Sequence, residues 1–197
     1  MNNRLQIIGL SGTNGSGKDT LGQLLAKDYG FMFVSVTELL RAELHRRKLP
    51  ITRKNLRMIS AEWRRELGLG VLIDKAVADY KASKENYAGV VISSLRNPGE
   101  ADRVHDLGGS VVWIDADPKI RYARIQANMD GRGRAEEDNK TFEQFQAEEA
   151  DEMTKPEGGD TATLSMGAVK ALADITIDNG DQDIPTFKAE VERALGL

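Results

Sequence analysis

The run Gly12-Thr13-Asn14-Gly15-Ser16-Gly17-Lys18-Asp19-Thr20 carries the clearest chemical signature in the 197 residues. Four residues separate Gly12 from Gly17 and Lys18 follows directly, the G-x-x-x-x-G-K spacing of a phosphate-binding loop. Glycines let successive backbone N–H groups turn inward around a β-phosphate, and a helix beginning at Lys18 adds its partial positive end. Lys18 can then bridge β- and γ-phosphates. Gly12, Asn14, Gly15, Ser16, Gly17, Lys18, Asp19 and Thr20 are therefore the expected contacts of a nucleoside triphosphate. Asp19 stands where many such loops place the Ser or Thr that ligates Mg²⁺. Its carboxylate either holds a magnesium-bound water or favours the positive helix end, and the spacing leaves both open.

Such a loop needs a strand before it and a helix after it. Leu5 to Leu10 supplies the strand, and Leu21, Leu24 and Leu25 share one helical face beyond the loop. Further strands are expected at Phe31 to Val36, Gly89 to Ser93, Ser110 to Ile114 and Asp174 to Ile177. Helical patterns lie between them: Leu56, Ile59, Trp63 and Leu67 form a stripe closing at Gly68 and Gly70, and Asp117-Pro118 reads as a helix start. Phe187, Val191 and Leu195 give the chain a packed final helix. The alternation predicts one α/β domain over 1–197, with a five-stranded parallel sheet and helices on both faces. Residues 128–170 break the rhythm with Gly131-Arg132-Gly133-Arg134, the acids Glu136 to Asp138, and Pro156 to Gly159. They read as the mobile part, with Glu136 to Asp138 and Glu148-Glu149 as solvated faces.

Composition narrows the partners. The net charge of -4, from 31 acidic and 27 basic residues, provides no overall positive field, which argues against nucleic acid. The absence of cysteine excludes disulfides, thiolate chemistry and cysteine-ligated zinc. His45 and His105 do not form a ligand spacing, and Trp63 and Trp113 read as core. No secretory-type leader is visible, and no stretch approaches the roughly 20 apolar residues that cross a bilayer. A cytoplasmic protein without a membrane partner is expected, with monomer and homodimer equally open.

On these motifs the chain resembles the nucleoside monophosphate kinase group of P-loop kinases, which includes adenylate kinases, phage deoxynucleoside monophosphate kinases and dephospho-CoA kinases. The resemblance runs over nearly the whole length and implies a three-layer P-loop kinase fold. It also implies ATP with Mg²⁺ as cofactors and a small-molecule nucleotide acceptor. In this group G-K-x-T is frequent, and Thr20 matches its threonine. Phe33-Val34-Ser35-Val36-Thr37-Glu38-Leu39-Leu40-Arg41 is similar to the acceptor segment, so Arg41 would grip the acceptor's phosphate, a task suited to the guanidinium fork. The helix from Arg53 through Arg64 and Arg65 would form the lip of that site. Arg96, after Val90-Val91-Ile92-Ser93-Ser94-Leu95, matches the arginine that follows the third strand. Arg121, Arg124, Arg132 and Arg134 look like lid arginines, with Arg132 preferred, and Ile177-Asp178-Asn179-Gly180 resembles an adenine-contacting loop. The implied catalytic set is Lys18, Arg41, Arg96 and Arg132, with an acceptor flap over about residues 37–82 and a lid over about 128–155.

Two departures shape the acceptor. Ser93 and Ser94 occupy the strand end where the group carries a carboxylate, and the Asp-x-Asp usual in dephospho-CoA kinases is missing at Ser35-Val36-Thr37. An anionic phosphate oxygen needs no base, whereas a ribose hydroxyl benefits from one. A (deoxy)nucleoside monophosphate therefore ranks ahead of dephospho-CoA as acceptor. A P-loop hydrolase or switch, and a nucleotide-binding module without catalysis, are the readings from other classes.

Overall fold

The computed structural model describes residues 6–128, 139–154, 158–180 and 183–197. Five strands form one parallel sheet: β1 (Gln6–Gly12), β2 (Phe31–Ser35), β3 (Gly89–Ser93), β4 (Ser110–Asp115) and β5 (Ile175–Asp178). Their spatial order is β2-β3-β1-β4-β5. All five begin and end within two residues of the expected positions, because each is a short run of β-branched or aromatic residues bounded by turn formers. β3 is buried along its whole length, as a central parallel strand covered on both faces must be.

Around the sheet lie α1 (Lys18–Tyr29), α2 (Val36–Arg46), α3 (Arg53–Leu67), α4 (Val71–Ala82), α5 (Pro98–Asp106), α6 (Pro118–Ala127), α7 (Phe142–Met153), α8 (Met166–Ala171) and α9 (Ile184–Leu195). Alternate strand residues feed two cores. Ile7, Val90, Ile92 and Val111 pack with residues of α2 to α5 and α8. Ile8, Val91, Val112 and Ile177 pack with Leu21 and Leu25 of α1 and Phe187 and Val191 of α9. The result is the three-layer P-loop kinase fold.

Three expectations need correction. Leu67 does not join the core: it ends α3, just before Gly68 turns the chain at φ 98°, and is 60% exposed. Trp63 packs against the core but is only half-buried, with the Lys75 ammonium 4.3 Å from its ring centre, whereas Trp113 is fully enclosed. The supposedly irregular stretch holds two helices, α7 and α8. Thr141 accepts a hydrogen bond from Gln144 N while the Gln144 side chain accepts from Thr141 N, a capping box that starts α7.

The register brings the site together. Leu10 and Ser35 both pair with Ser93, so β1, β2 and β3 present their carboxyl ends at one level. That edge lies where the chain order reverses about β1, the usual crevice for a ligand in an open parallel sheet.

Candidate functional site

The predicted loop leaves β1 at Gly12 and enters α1 at Lys18. Gly12 has φ 145°, and a Cβ there would run into the Ile114 carbonyl oxygen. Gly17 caps α1 in the left-handed region at φ 97°, and a Cβ there would strike the Asn179 amide. Both positions demand glycine. No side chain caps α1, so its first N–H groups are left for a ligand. A cleft of about 360 Å³ opens in front of them, walled by Asn14, Gly15, Gly17, Lys18, Asp19 and Thr20. Gly12 and Ser16 stand outside that wall and shape the loop from behind; Ser16 Oγ and Thr13 Oγ1 are buried without a hydrogen-bond partner.

Several distant side chains brace the loop. Arg121 is 2% exposed. It donates to the Asn14 carbonyl at 3.2 Å and the Ala116 carbonyl at 2.8 Å, and forks onto Glu149. It is therefore a buried support under the loop and not a lid arginine, since α6 turns it inward. Arg124 donates to the carbonyls of Asn179 and Gly180, and the Asn179 amide donates to Ser16 O at 2.9 Å. The turn after β5 thus grips the loop directly. Arg132 and Arg134 lie outside the described residues, as do Glu136 to Asp138.

Asp19 reaches across to β3. Ser93 Oγ donates to Asp19 Oδ1 at 2.5 Å, which sets a carboxylate beside the strand end that lacks one. In many P-loop proteins a loop hydroxyl and a strand carboxylate hold Mg²⁺. Here the two groups are present with their chain positions exchanged, a donor set of hard oxygens that fits the ion. Among the described residues, no three His, Cys, Asp or Glu side chains cluster as a metal site; His105 instead meets Asp174 at 2.9 Å. Ser94 adopts φ 78°, unusual outside glycine, and both its N–H and that of Leu95 donate to Leu10 O. Strain of this kind gathers at functional sites.

A second, smaller cavity of about 70 Å³ adjoins the first. Asn14, Thr37, Ser94 and Arg96 line both. Arg41, Arg53, Arg57, Arg64 and Arg96 contribute guanidinium groups to the second, opposed in its wall by Glu152. Arg41 meets Glu38 at 3.4 Å, and its Nε is buried without a hydrogen-bond partner. Arg64 lines this cavity from a buried position: it is 3% exposed, forked onto Glu100 at 2.6 and 3.0 Å and donating to Ala162 O at 2.9 Å. Glu100 also accepts from the backbone N–H groups of Arg96 and Asn97, so one buried carboxylate ties α3 to the loop after β3. Arg65 points outward to Asp160.

Glu152, from α7, accepts from Arg96 at 2.7 Å and Arg57 at 3.0 Å, with Arg53 at 3.7 Å. Burial opposes its ionisation, but Arg96, Arg57 and Arg53 outweigh that and hold its carboxyl below the usual range. Glu148 pairs with Arg53 and Lys140, and Glu149 with Arg121, so neither is the solvated acid expected of it. The Thr141/Gln144 box was the sequence signal that could have revealed this helix and hence its acids. Glu100 had a similar signal, the capping box with Asn97.

With this geometry in view, the chain can be compared with known proteins. A family model described as "AAA domain" matches residues 8–151. A UPF0200 protein of Pyrococcus abyssi is 30% identical over 190 residues, which cover 94% of this chain and 93% of the relative. The chain belongs to the AAA domain and UPF0200 families. A UPF0200 protein of Thermococcus kodakarensis is 28% identical, covering 95% of each chain. Among solved structures, shikimate kinase from Bacteroides thetaiotaomicron has a TM-score of 0.58 at 13% identity, covering 98% of this chain and 99% of its own. A gluconokinase from Sinorhizobium meliloti has a TM-score of 0.54 at 15% identity, covering 100% of this chain and 94% of its own. These likenesses establish the P-loop kinase fold of the family member. Among the described residues, no helix is long and apolar enough to cross a membrane.

Proposed function

We propose that the chain moves the γ-phosphoryl group of ATP onto a small nucleotide-type acceptor, with a (deoxy)nucleoside monophosphate as the first choice. The observation that carries this reading is the shared wall of Asn14, Thr37, Ser94 and Arg96 between a phosphate-binding cleft and an arginine-lined cavity. A hydrolase has no use for the second cavity. An acceptor phosphate oxygen forms a bond to the γ-phosphorus as the bond from that phosphorus to the β–γ bridging oxygen breaks, and the electron pair leaves with ADP. The attacking oxygen is already anionic, so no side chain has to remove a proton.

Lys18 is assigned to the β- and γ-phosphates, Arg96 to the charge developing between the two cavities, and Arg41 to the acceptor's own phosphate. Asp19, with Ser93 hydrogen-bonded to it, would hold the Mg²⁺ ion. When bound, the ion neutralises phosphate charge. Dephospho-CoA is the second acceptor considered, because the Asp19 carboxylate is the group at the end of β3 that can take a hydroxyl proton.

The test is ADP release from Mg-ATP with and without a panel of ribo- and deoxyribonucleoside monophosphates and dephospho-CoA, with products identified by mass spectrometry. Acceptor-dependent release is expected with a monophosphate. Release that ignores every acceptor would move the reading to a hydrolase or switch. Nucleotide binding without release would indicate a silent module.

A further inference from the structure

The second cavity already contains an anion supplied by the chain. Glu152 is the carboxylate of its wall, and the side chain is 9% exposed. Its Oε2 receives Arg96 Nη1 at 2.7 Å, and its Oε1 receives Arg57 Nη2 at 3.0 Å with Arg53 Nη1 at 3.7 Å. These arginines come from α3 and from the loop after β3, and all line the second cavity. Arg96 also belongs to the phosphate cleft.

The charges do not balance around Glu152. Arg64 is answered by Glu100 behind it, and Arg53 is shared with Glu148. Arg57 and Arg96 both turn to the single charge of Glu152, and Arg41 Nε, in the same wall, is buried with no hydrogen-bond partner. A carboxylate brings one charge and two oxygens. A phosphate monoester brings close to two charges and three oxygens, in a shape that guanidinium forks accept readily.

The hold on α7 is also uneven. Its first half is packed by rings, Tyr122 lying 5.4 Å from Phe142 and 5.8 Å from Phe145, with Phe145 buried. Its second half reaches the rest of the protein through Glu148, Glu149 and Glu152, each engaged with arginine, and through the Met153 carbonyl, which lies close against Gly167 of α8. Exchange of partners at Glu152 therefore removes the Arg96 and Arg57 ion pairs from this end of the helix, while the aromatic end remains docked.

Building on the phosphoryl-transfer reading, we infer that Glu152 is an internal occupant of the acceptor's anion subsite, exchanged for the dianionic phosphate monoester of the incoming acceptor. Acceptors whose only anion is a carboxylate have no charge advantage over Glu152 and are disfavoured. Release of Glu152 weakens the hold on the C-terminal half of α7 whenever an acceptor is bound.

The probe is inorganic phosphate, titrated calorimetrically into the full chain saturated with a non-hydrolysable ATP analogue, so that the first cleft is filled. Acetate is the carboxylate comparison. Phosphate is expected to bind, acetate is not, and Glu152→Gln should tighten phosphate roughly tenfold by removing the competing charge. In the unaltered chain, which avoids any folding defect of the variant, phosphate should speed amide hydrogen exchange in the second half of Phe142–Met153. Absence of phosphate binding, no gain in E152Q, acetate binding equal to phosphate, or unchanged or slowed exchange would each overturn the inference. Acceptor-dependent ADP release alongside such a failure would leave phosphoryl transfer standing without this role for Glu152. Exchange driven by phosphate with no transfer to any acceptor would do the reverse.

Discussion

In the proposed donor cleft the phosphate-binding loop is fixed by glycine conformations at Gly12 and Gly17 and braced beneath by Arg121 and Asn179, so that its backbone would face the phosphates. In the proposed acceptor cavity the facing groups are guanidinium groups at the ends of long side chains, held by carboxylates from other elements. On the reading proposed above, the first arrangement is set at folding and would change little on binding, whereas the second would exchange one ion pair for another. The donor side should therefore respond to substitution mainly in rate and nucleotide affinity, and the acceptor side in stability, KM and charge selectivity.

The largest effect should come from the carboxylate that joins α3 to the loop after β3. Glu100→Ala leaves Arg64 buried and unpaired, and should cost about 3–5 kcal/mol in urea unfolding. A smaller loss than about 1 kcal/mol would mean that the acceptor side is not held by buried charge. Lys18→Ala removes a phosphate contact on a surface whose shape is set by backbone. Its transfer rate should fall at least roughly 100-fold, with the unfolding midpoint almost unchanged. A large stability loss instead would erase the distinction between the two regions.

Arg41→Ala should raise KM for the acceptor by roughly ten- to a hundredfold with ATP affinity unaltered, the range for a charge-assisted hydrogen bond. Asp19→Ser and Ser93→Asp should each weaken the Mg²⁺-dependent part of ATP-analogue binding by about tenfold, and the double exchange should restore much of it. If the double variant is no better than either single one, the carboxylate and hydroxyl are not an exchanged pair.

The smallest effect concerns acid. Arg46 and Arg47 beside Glu43 hold its carboxyl down to about 2, and Arg47 also lowers Glu62 on α3. Because the folded carboxyl of Glu43 is depressed, its contribution is fully present above its ordinary value of 4.5 and is lost as pH falls toward 2. Between pH 5 and pH 2, amides of α2 and α3 should lose exchange protection before those of α1. Simultaneous loss would show that the two sides unfold as one unit.

The sequence disclosed these regions unequally, for a physical reason. The donor loop is local: its glycines, lysine and flanking apolar runs lie within a few turns of chain, and the strands follow from short buried stretches. Arg64 was read as part of the acceptor lip and Arg121 as a lid arginine, from resemblance to a kinase group. Their partners, Glu100 and Glu149, stand 36 and 28 residues away, a pairing no local pattern specifies. Glu152 was invisible for the same reason, although the capping box at Thr141 marked the start of its helix. Leu67 shows the opposite error, a periodic apolar residue that outlasts the surface it was expected to cover.

The two cavities share a wall formed by Asn14, Thr37, Ser94 and Arg96. A single molecule with a nucleoside polyphosphate at one end and a phosphate monoester at the other can span it. Once one end is seated, the other experiences an effective concentration set by the tether, in the millimolar range for a short flexible link. Such a tethered compound should bind far more tightly than either half, and the linker length that maximises its affinity would act as a ruler for the distance across which a phosphoryl group has to travel.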